Sequence, residues 1–359
     1  MQKIMSKQKT QNGPIDRRRF IGIAAAAVAY PFIPRIVRGN HILSGVKPDS
    51  VFGGVQIGAI TYSYRNLPGT SAEATLDYLL QSGLSSCELM YGPIEESVGA
   101  PAVNVMEIMA QFREQNPPEP PDSIPEGTQR RPRFQMTPEM REAITKKQEE
   151  LITWRKTVSS MDKFESIRKM YNDAGVKINI VKFDTIGAEG MSAEEMVYMF
   201  SVAKTMGARG ITTELNENKA KILGPLADKH KMAIGFHNHT QLKPDTYSTG
   251  PYFSFGKGIM SNLDIGHYAA GNGESALSLV EELGNQERLL TIHLKDRTFD
   301  GKTVPFGEGD AQVAEILQLI RKNKWDIPCD IELEYPVPED SDPIKEVKKC
   351  VDFCKNVLT

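Results

Sequence analysis

Four of the six histidines in this 359-residue chain lie in short runs that also carry Asp, Glu or Lys. The runs read Gly235-Phe236-His237-Asn238-His239, Asn262-Leu263-Asp264-Ile265-Gly266-His267, Thr291-Ile292-His293-Leu294-Lys295-Asp296 and Asp330-Ile331-Glu332-Leu333-Glu334-Tyr335. Two further runs place Glu88 after Ser86-Cys87, and Glu214 between Thr212-Thr213 and Leu215-Asn216. Polar and apolar residues alternate in several of them, which is the two-residue period of a strand. In the last run Asp330, Glu332 and Glu334 share one face, while Ile331, Leu333 and Tyr335 share the other. By the same parity Thr291, His293 and Lys295 face one way, and His237 pairs with His239. Carboxylates gathered on one buried face repel each other and lose hydration unless a cation joins them. Imidazole nitrogen with carboxylate oxygen is a donor set for Zn²⁺, Mn²⁺, Fe²⁺ or Co²⁺. The chemistry on offer is metal-assisted acid–base catalysis.

Something must bring these runs to one place. Short apolar, β-branched stretches recur at residues 55–62, 86–91, 176–183, 210–215, 232–238, 259–265, 289–294 and 329–335. Helical patterns fall between them, at 72–82, 193–206, 218–230, 274–283 and 311–323. Glycines at 83, 175, 207 and 284 punctuate helix ends. Strands alternating with helices mean a parallel sheet, and eight such units predict a closed (β/α)₈ barrel, a TIM barrel. The polar runs are the carboxyl ends of its strands, where such barrels build their sites. No Gly-x-Gly-x-x-Gly follows the first strand, so a dinucleotide-binding sheet is not indicated. A long insertion, about residues 92–160, separates strands two and three. Its stretch 116–132 is rich in Pro and reads as an extended excursion; helical sequence resumes at Pro138 and runs towards Asp173.

Three of the runs carry a resemblance. Leu263-Asp264-Ile265-Gly266-His267, His293-Leu294-Lys295-Asp296 and Glu332-Leu333-Glu334 resemble the sugar phosphate isomerase/epimerase family, the xylose isomerase-like barrels. The likeness runs from residue 55 to the C-terminus, apart from the insertion. It implies one divalent ion (Mn, Zn, Co, Fe or Mg), a small carbohydrate substrate and often a homodimer. The implied metal ligands are Asp264, His293 and Glu332, with Glu334 as the alternative to Glu332. His237 stands on strand five where the family usually has Glu, and completes the set as an imidazole. Glu332, His267 and Lys295 are the expected catalytic groups, and Glu88, Glu214 and His239 the expected substrate contacts. The implied reaction is isomerisation or epimerisation through proton abstraction beside a polarised carbonyl. Loss of the strand-five Glu removes one of two catalytic carboxylates, which favours a second reading, a 3-keto-glycoside lyase or hydratase needing one base. A non-catalytic carbohydrate-binding barrel is the third.

Composition sets outer limits. The net charge is −3, and no basic stripe lies outside the first residues, which speaks against nucleic acid as partner. The four cysteines form no Cys-x-x-Cys pair, so neither a disulfide framework nor a structural zinc site is expected. Residues 1–45 read as a processing segment. Arg17-Arg18-Arg19-Phe20-Ile21 precedes an apolar run from Ile23 to Ile33, too short to cross a bilayer as a mature helix. The segment resembles a twin-arginine signal, which implies periplasmic or other extracytoplasmic residence with no stable membrane span. No Ala-x-Ala cleavage site follows. The mature domain is expected over 46–359.

Overall fold

A computed structural model describes residues 47–101, 103, 108–109, 111–112 and 136–359. The expected processing segment, residues 1–45, and the Pro-rich stretch 116–132 lie outside these residues. The eight expected strands are all present: β1 (Val55–Ile60), β2 (Ser86–Met90), β3 (Lys177–Lys182), β4 (Gly210–Glu214), β5 (Ala233–His237), β6 (Ile259–Asp264), β7 (Leu289–Leu294) and β8 (Cys329–Ile331). Each pairs in parallel with the next, and β8 closes on β1. The result is the (β/α)₈ barrel, with helices in the connections.

Local chemistry explains the helix boundaries. Ser71, Ser192, Asn216 and Asp342 cap helix starts by accepting backbone N–H groups, and Ser192 forms a full capping box with Glu195. The helices Val313–Asn323 and Pro343–Leu358 are amphipathic; their inward stripes bury Ile316, Leu317, Ile320, Val347, Val351 and Cys354. All four cysteines are free and buried.

Three expectations need correction. The first and last strands were expected to reach residues 62 and 335, but the regular ladder stops at Ile60 and Ile331. Residues Thr61–Tyr64 tighten into a 3₁₀ turn, and side chains take over the pairing. Leu333 N–H donates to Ser63 Oγ at 2.9 Å, and Arg65 Nη1 donates to Leu333 O at 2.8 Å. Helix 138–173 is two helices, Pro138–Thr157 and Asp162–Ala174, because Val158 turns extended and Ser160 Oγ accepts the Asp162 N–H. The helix expected at 274–283 is preceded by another, Ile265–Asn272, that starts directly on β6.

The helix Pro138–Thr157 docks by a buried ion pair. Arg155 donates to both oxygens of Glu95, at 2.8 and 3.0 Å, and Tyr198 OH adds a bond at 3.0 Å. Glu95 sits on the helix Tyr91–Val98 that follows β2, and both partners are under a tenth exposed. Arg155→Met should therefore cost about 3 kcal/mol, since Glu95 is left charged and buried without its partner. Urea unfolding checks this; a loss below about 1 kcal/mol, the scale of an exposed pair, would contradict it.

Candidate functional site

The site is assembled from the carboxyl ends of β2 to β8. Its centre is His293, fully buried on β7. Nδ1 lies 2.8 Å from Glu332 Oε2 and Nε2 lies 2.9 Å from Glu88 Oε2. Burial alone would pull the ring's pKa down, but the two carboxylates raise it to about 10, so both nitrogens carry protons and donate. The same contacts act in reverse on the acids. Burial pushes Glu88 and Glu332 up; His293, with Lys182 for Glu88 and Lys295 for Glu332, more than offsets it and holds both carboxyls below their usual range.

Lys295 is two residues further along the same face and only 2% exposed. Its Nζ lies 3.0 Å from Asp264 Oδ2, 3.2 Å from Glu332 Oε2 and 2.9 Å from Glu334 Oε2. It also approaches His267 Nε2 at 3.0 Å, while Arg297 Nη1 stands 2.6 Å from His267 Nδ1. Burial and then the Lys295 charge depress His267 to about 3, so that ring is neutral.

The turn after β6 shows why this sequence folds as it does. Asp264 caps the helix Ile265–Asn272, with Oδ1 accepting the His267 N–H at 2.6 Å. Its own N–H is held by Asn238 Oδ1 at 2.9 Å. A Cβ at Gly266 would come within 3 Å of the Lys295 backbone and stem, so the glycine is what lets β6 and β7 end side by side.

His237, Asp264, His293 and Glu332 each present one donor atom within 4.8 Å of the others, and all four are buried. His237 Nδ1 has no hydrogen-bond partner, nor has Asp264 Oδ2, which has the Lys295 ammonium 3.0 Å away. Burial, reinforced by the Lys182 charge, keeps His237 well below its ordinary pKa and hence neutral, the form that binds metal. This donor set fits a divalent ion. Glu332 belongs to this group and Glu334 does not: the Glu332 carboxylate is buried against His293, whereas that of Glu334 is a quarter exposed and turned to Lys295. To use either ring nitrogen, His293 must release a proton and one carboxylate. His237 also joins the half-buried His267 and the exposed His239 in a second group of imidazoles that opens towards the rim.

The remaining expected residues divide by depth. Glu214 and His239 sit at the rim, with Glu214 Oε2 3.6 Å from His239 Nε2. Glu88 lies deeper than a substrate contact requires. It is fully buried, with Oε1 accepting from Thr212 Oγ1 at 2.6 Å and Oε2 beside His293, so it orients the imidazole. The sequence reading gives no role to Lys182 or Arg297. Lys182 is buried at the end of β3, with Nζ 3.1 Å from Glu214 Oε1 and 3.4 Å from Asp184 Oδ1. A lysine inside the run Ile178-Asn179-Ile180-Val181-Lys182-Phe183 was the available signal.

Asp330 lies on the same barrel face, one pair below Glu332. Oδ2 accepts from Thr291 Oγ1 at 2.8 Å, but Oδ1 has no partner and fills the space a Cβ at Gly58 would need. Burial and then the nearby Glu88 push its carboxyl up to about 7. Such a group favours folding while protonated and loses that contribution as pH rises from about 4 through about 7. Asp330→Asn should thus match the native chain near pH 4 and melt about 3 °C higher at pH 8. Thermal melts at the two pH values check the sign; destabilisation at pH 8 would refute it.

No family model and no curated protein matches the chain in sequence. Solved structures match in fold. A probable 3-DHS dehydratase from Bacillus anthracis superposes with a TM-score of 0.52 at 12% identity, over 83% of this chain and 99% of its own. A xylose isomerase domain protein from Planctomyces limnophilus gives 0.52 at 11% identity, over 85% and 96%. Another from Alicyclobacillus acidocaldarius gives 0.51 at 10%, over 84% and 99%. The likeness at these identities is one of architecture: the chain shares the (β/α)₈ barrel fold of these structures.

Proposed function

We propose that this chain is a metal-dependent enzyme acting on a carbohydrate, removing a proton from the carbon beside a carbonyl to give isomerisation or epimerisation. The observation that carries the reading is the buried set His237, Asp264, His293 and Glu332, with His237 Nδ1 unpartnered. A divalent ion held there would supply Lewis-acid polarisation of the carbonyl, which acidifies the neighbouring C–H. Glu332 is the candidate base, its carboxylate kept ionised by Lys295 and His293. Lys295 and His267 stand together on one side of it, placed to stabilise the oxygen on which negative charge develops. Glu214 and His239 at the rim are suited to bind sugar hydroxyls.

The substrate is proposed to be unphosphorylated. In barrels of this kind the loops after the seventh and eighth strands frequently cradle phosphate with backbone N–H groups. Here the amides of Gly307, Gly309 and Ala311 converge on the chain's own Asp296 carboxylate, at 2.8, 3.1 and 3.3 Å.

The second reading, β-elimination from a 3-keto-glycoside, is favoured by His237 in place of a carboxylate on β5 and by the rim pair His239–Glu214. Elimination uses one base, and His239, more than half exposed, can protonate a departing oxygen. Metal content of the purified chain, with activity on a free ketose and on a 3-keto-glycoside, decides. Stoichiometric metal with ketose interconversion supports the isomerase. Metal with aglycone release supports the lyase. Metal without turnover leaves a sugar-binding barrel. Asp264→Ala and His293→Ala should each abolish metal retention in a folded barrel; full occupancy in both would sink the site.

Export completes the proposal, resting on the arginine-led apolar segment at the N-terminus. Arg17→Lys with Arg18→Lys should hold the protein in the cytoplasm, measured by cell fractionation; unchanged accumulation outside it would remove the export reading.

A further inference from the structure

The Lys295 ammonium occupies ground that a divalent cation needs. Its contacts at 3.0 Å with Asp264 Oδ2 and 3.2 Å with Glu332 Oε2 are contacts with two of the four donors. Like charges so close repel, and the low-polarity surroundings of a buried site strengthen that repulsion. An ion and the ammonium therefore compete for the same two carboxylates.

The structure also shows where the ammonium can go. Glu334 Oε2 is already within 2.9 Å, and its side chain is 26% exposed, against 0% for Asp264 and 8% for Glu332. Lys295 Nζ also meets His267 Nε2 at 3.0 Å, on a ring that is only half-buried. Gly266 leaves the lysine stem clearance, because a Cβ there would meet Lys295 Cγ at 2.9 Å. A four-carbon stem with a rotatable head can make this short move without backbone change.

We propose that Lys295 is an exchangeable internal cation, which neutralises Asp264 and Glu332 in the metal-free chain and is displaced onto Glu334, at the mouth of the site, when metal binds. Loading the ion and presenting the lysine to substrate are then one event. Without metal the chain keeps its ammonium sequestered and its acids paired; with metal the same ammonium stands where a substrate oxygen arrives. This inference rests on the metal reading above.

Two measurements on the full chain, stripped with chelator, test it. In the first, Mn²⁺ is titrated and the free ion followed by electron paramagnetic resonance. Lys295→Met removes the competitor and should bind Mn²⁺ about tenfold more tightly than the native chain. A residue that only props the ligands would give weaker or equal binding, and either result overturns the exchange. In the second, which needs no variant, native protein is treated with an amine-acylating reagent with and without Mn²⁺, and modification at Lys295 is read by mass spectrometry. Acylation of Lys295 should be about tenfold faster in the loaded protein, in proportion to its newly populated exposed state. Protection that persists with Mn²⁺ bound overturns the proposal. Failure of both native and Lys295→Met chains to bind Mn²⁺ at millimolar concentration would instead remove the metal reading and this inference with it.

Discussion

The barrel carries more buried negative charge at its functional end than an apolar interior tolerates, and the site is built around relieving it. Glu88, Asp264 and Glu332 are each under a tenth exposed. Charges taken out of water are costly unless paired closely and hydrogen-bonded. His293 therefore bridges Glu88 and Glu332, Lys295 joins Glu332 to Asp264, and Lys182 serves Glu214 and Asp184. Asp330 keeps one carboxylate oxygen with neither a hydrogen bond nor a cation beside it, and it responds by holding its proton to higher pH; burial pushes Asp264 up as well, although Lys295 stands beside it. The unusual pKa values and the donor arrangement are two results of one constraint.

Rigid supports keep the groups in register. Asp264 ends a strand and caps a helix at once, so it cannot shift without unseating the first turn of Ile265–Asn272. Asn238 ties β5 to β6 through the Asp264 backbone, accepting its N–H and donating to its carbonyl. The loop after β7 is fixed from within by Asp296, whose carboxylate gathers three amides. The floor and walls are thus set by backbone contacts, and what stays adjustable is the longer side chains at the mouth.

Much of this was legible in the sequence, for a physical reason. Strand alternation places every second residue inward, so Asp330, Glu332, His293 and Lys295 could be assigned to one interior without coordinates. Spacing of apolar runs and helix caps gave eight units, hence closure. Strand ends were less legible, because Ser63 and Arg65 replace ladder bonds with side-chain bonds that no hydropathy pattern reveals. Depth was not legible either: Glu88 and Glu214 look alike in sequence, yet one is buried beneath His293 and the other stands at the rim. Alternation leaves Glu332 and Glu334 equivalent; what separates them is that the Glu332 carboxylate is buried against His293, whereas that of Glu334 is a quarter exposed and meets Lys295.

The ion pair between Arg155 and Glu95 has a reach beyond the two helices it joins. It closes a span of 60 positions and brings both flanks of the excursion to one point on the barrel. The entropy of holding such a loop shut grows only with the logarithm of its length. A change in the number of residues inside that span therefore adds little to the closure cost that the ion pair bears, while the helix Pro138–Thr157, which buries Met140, Ile144 and Leu151, stays fixed to the helix that follows the strand bearing Glu88.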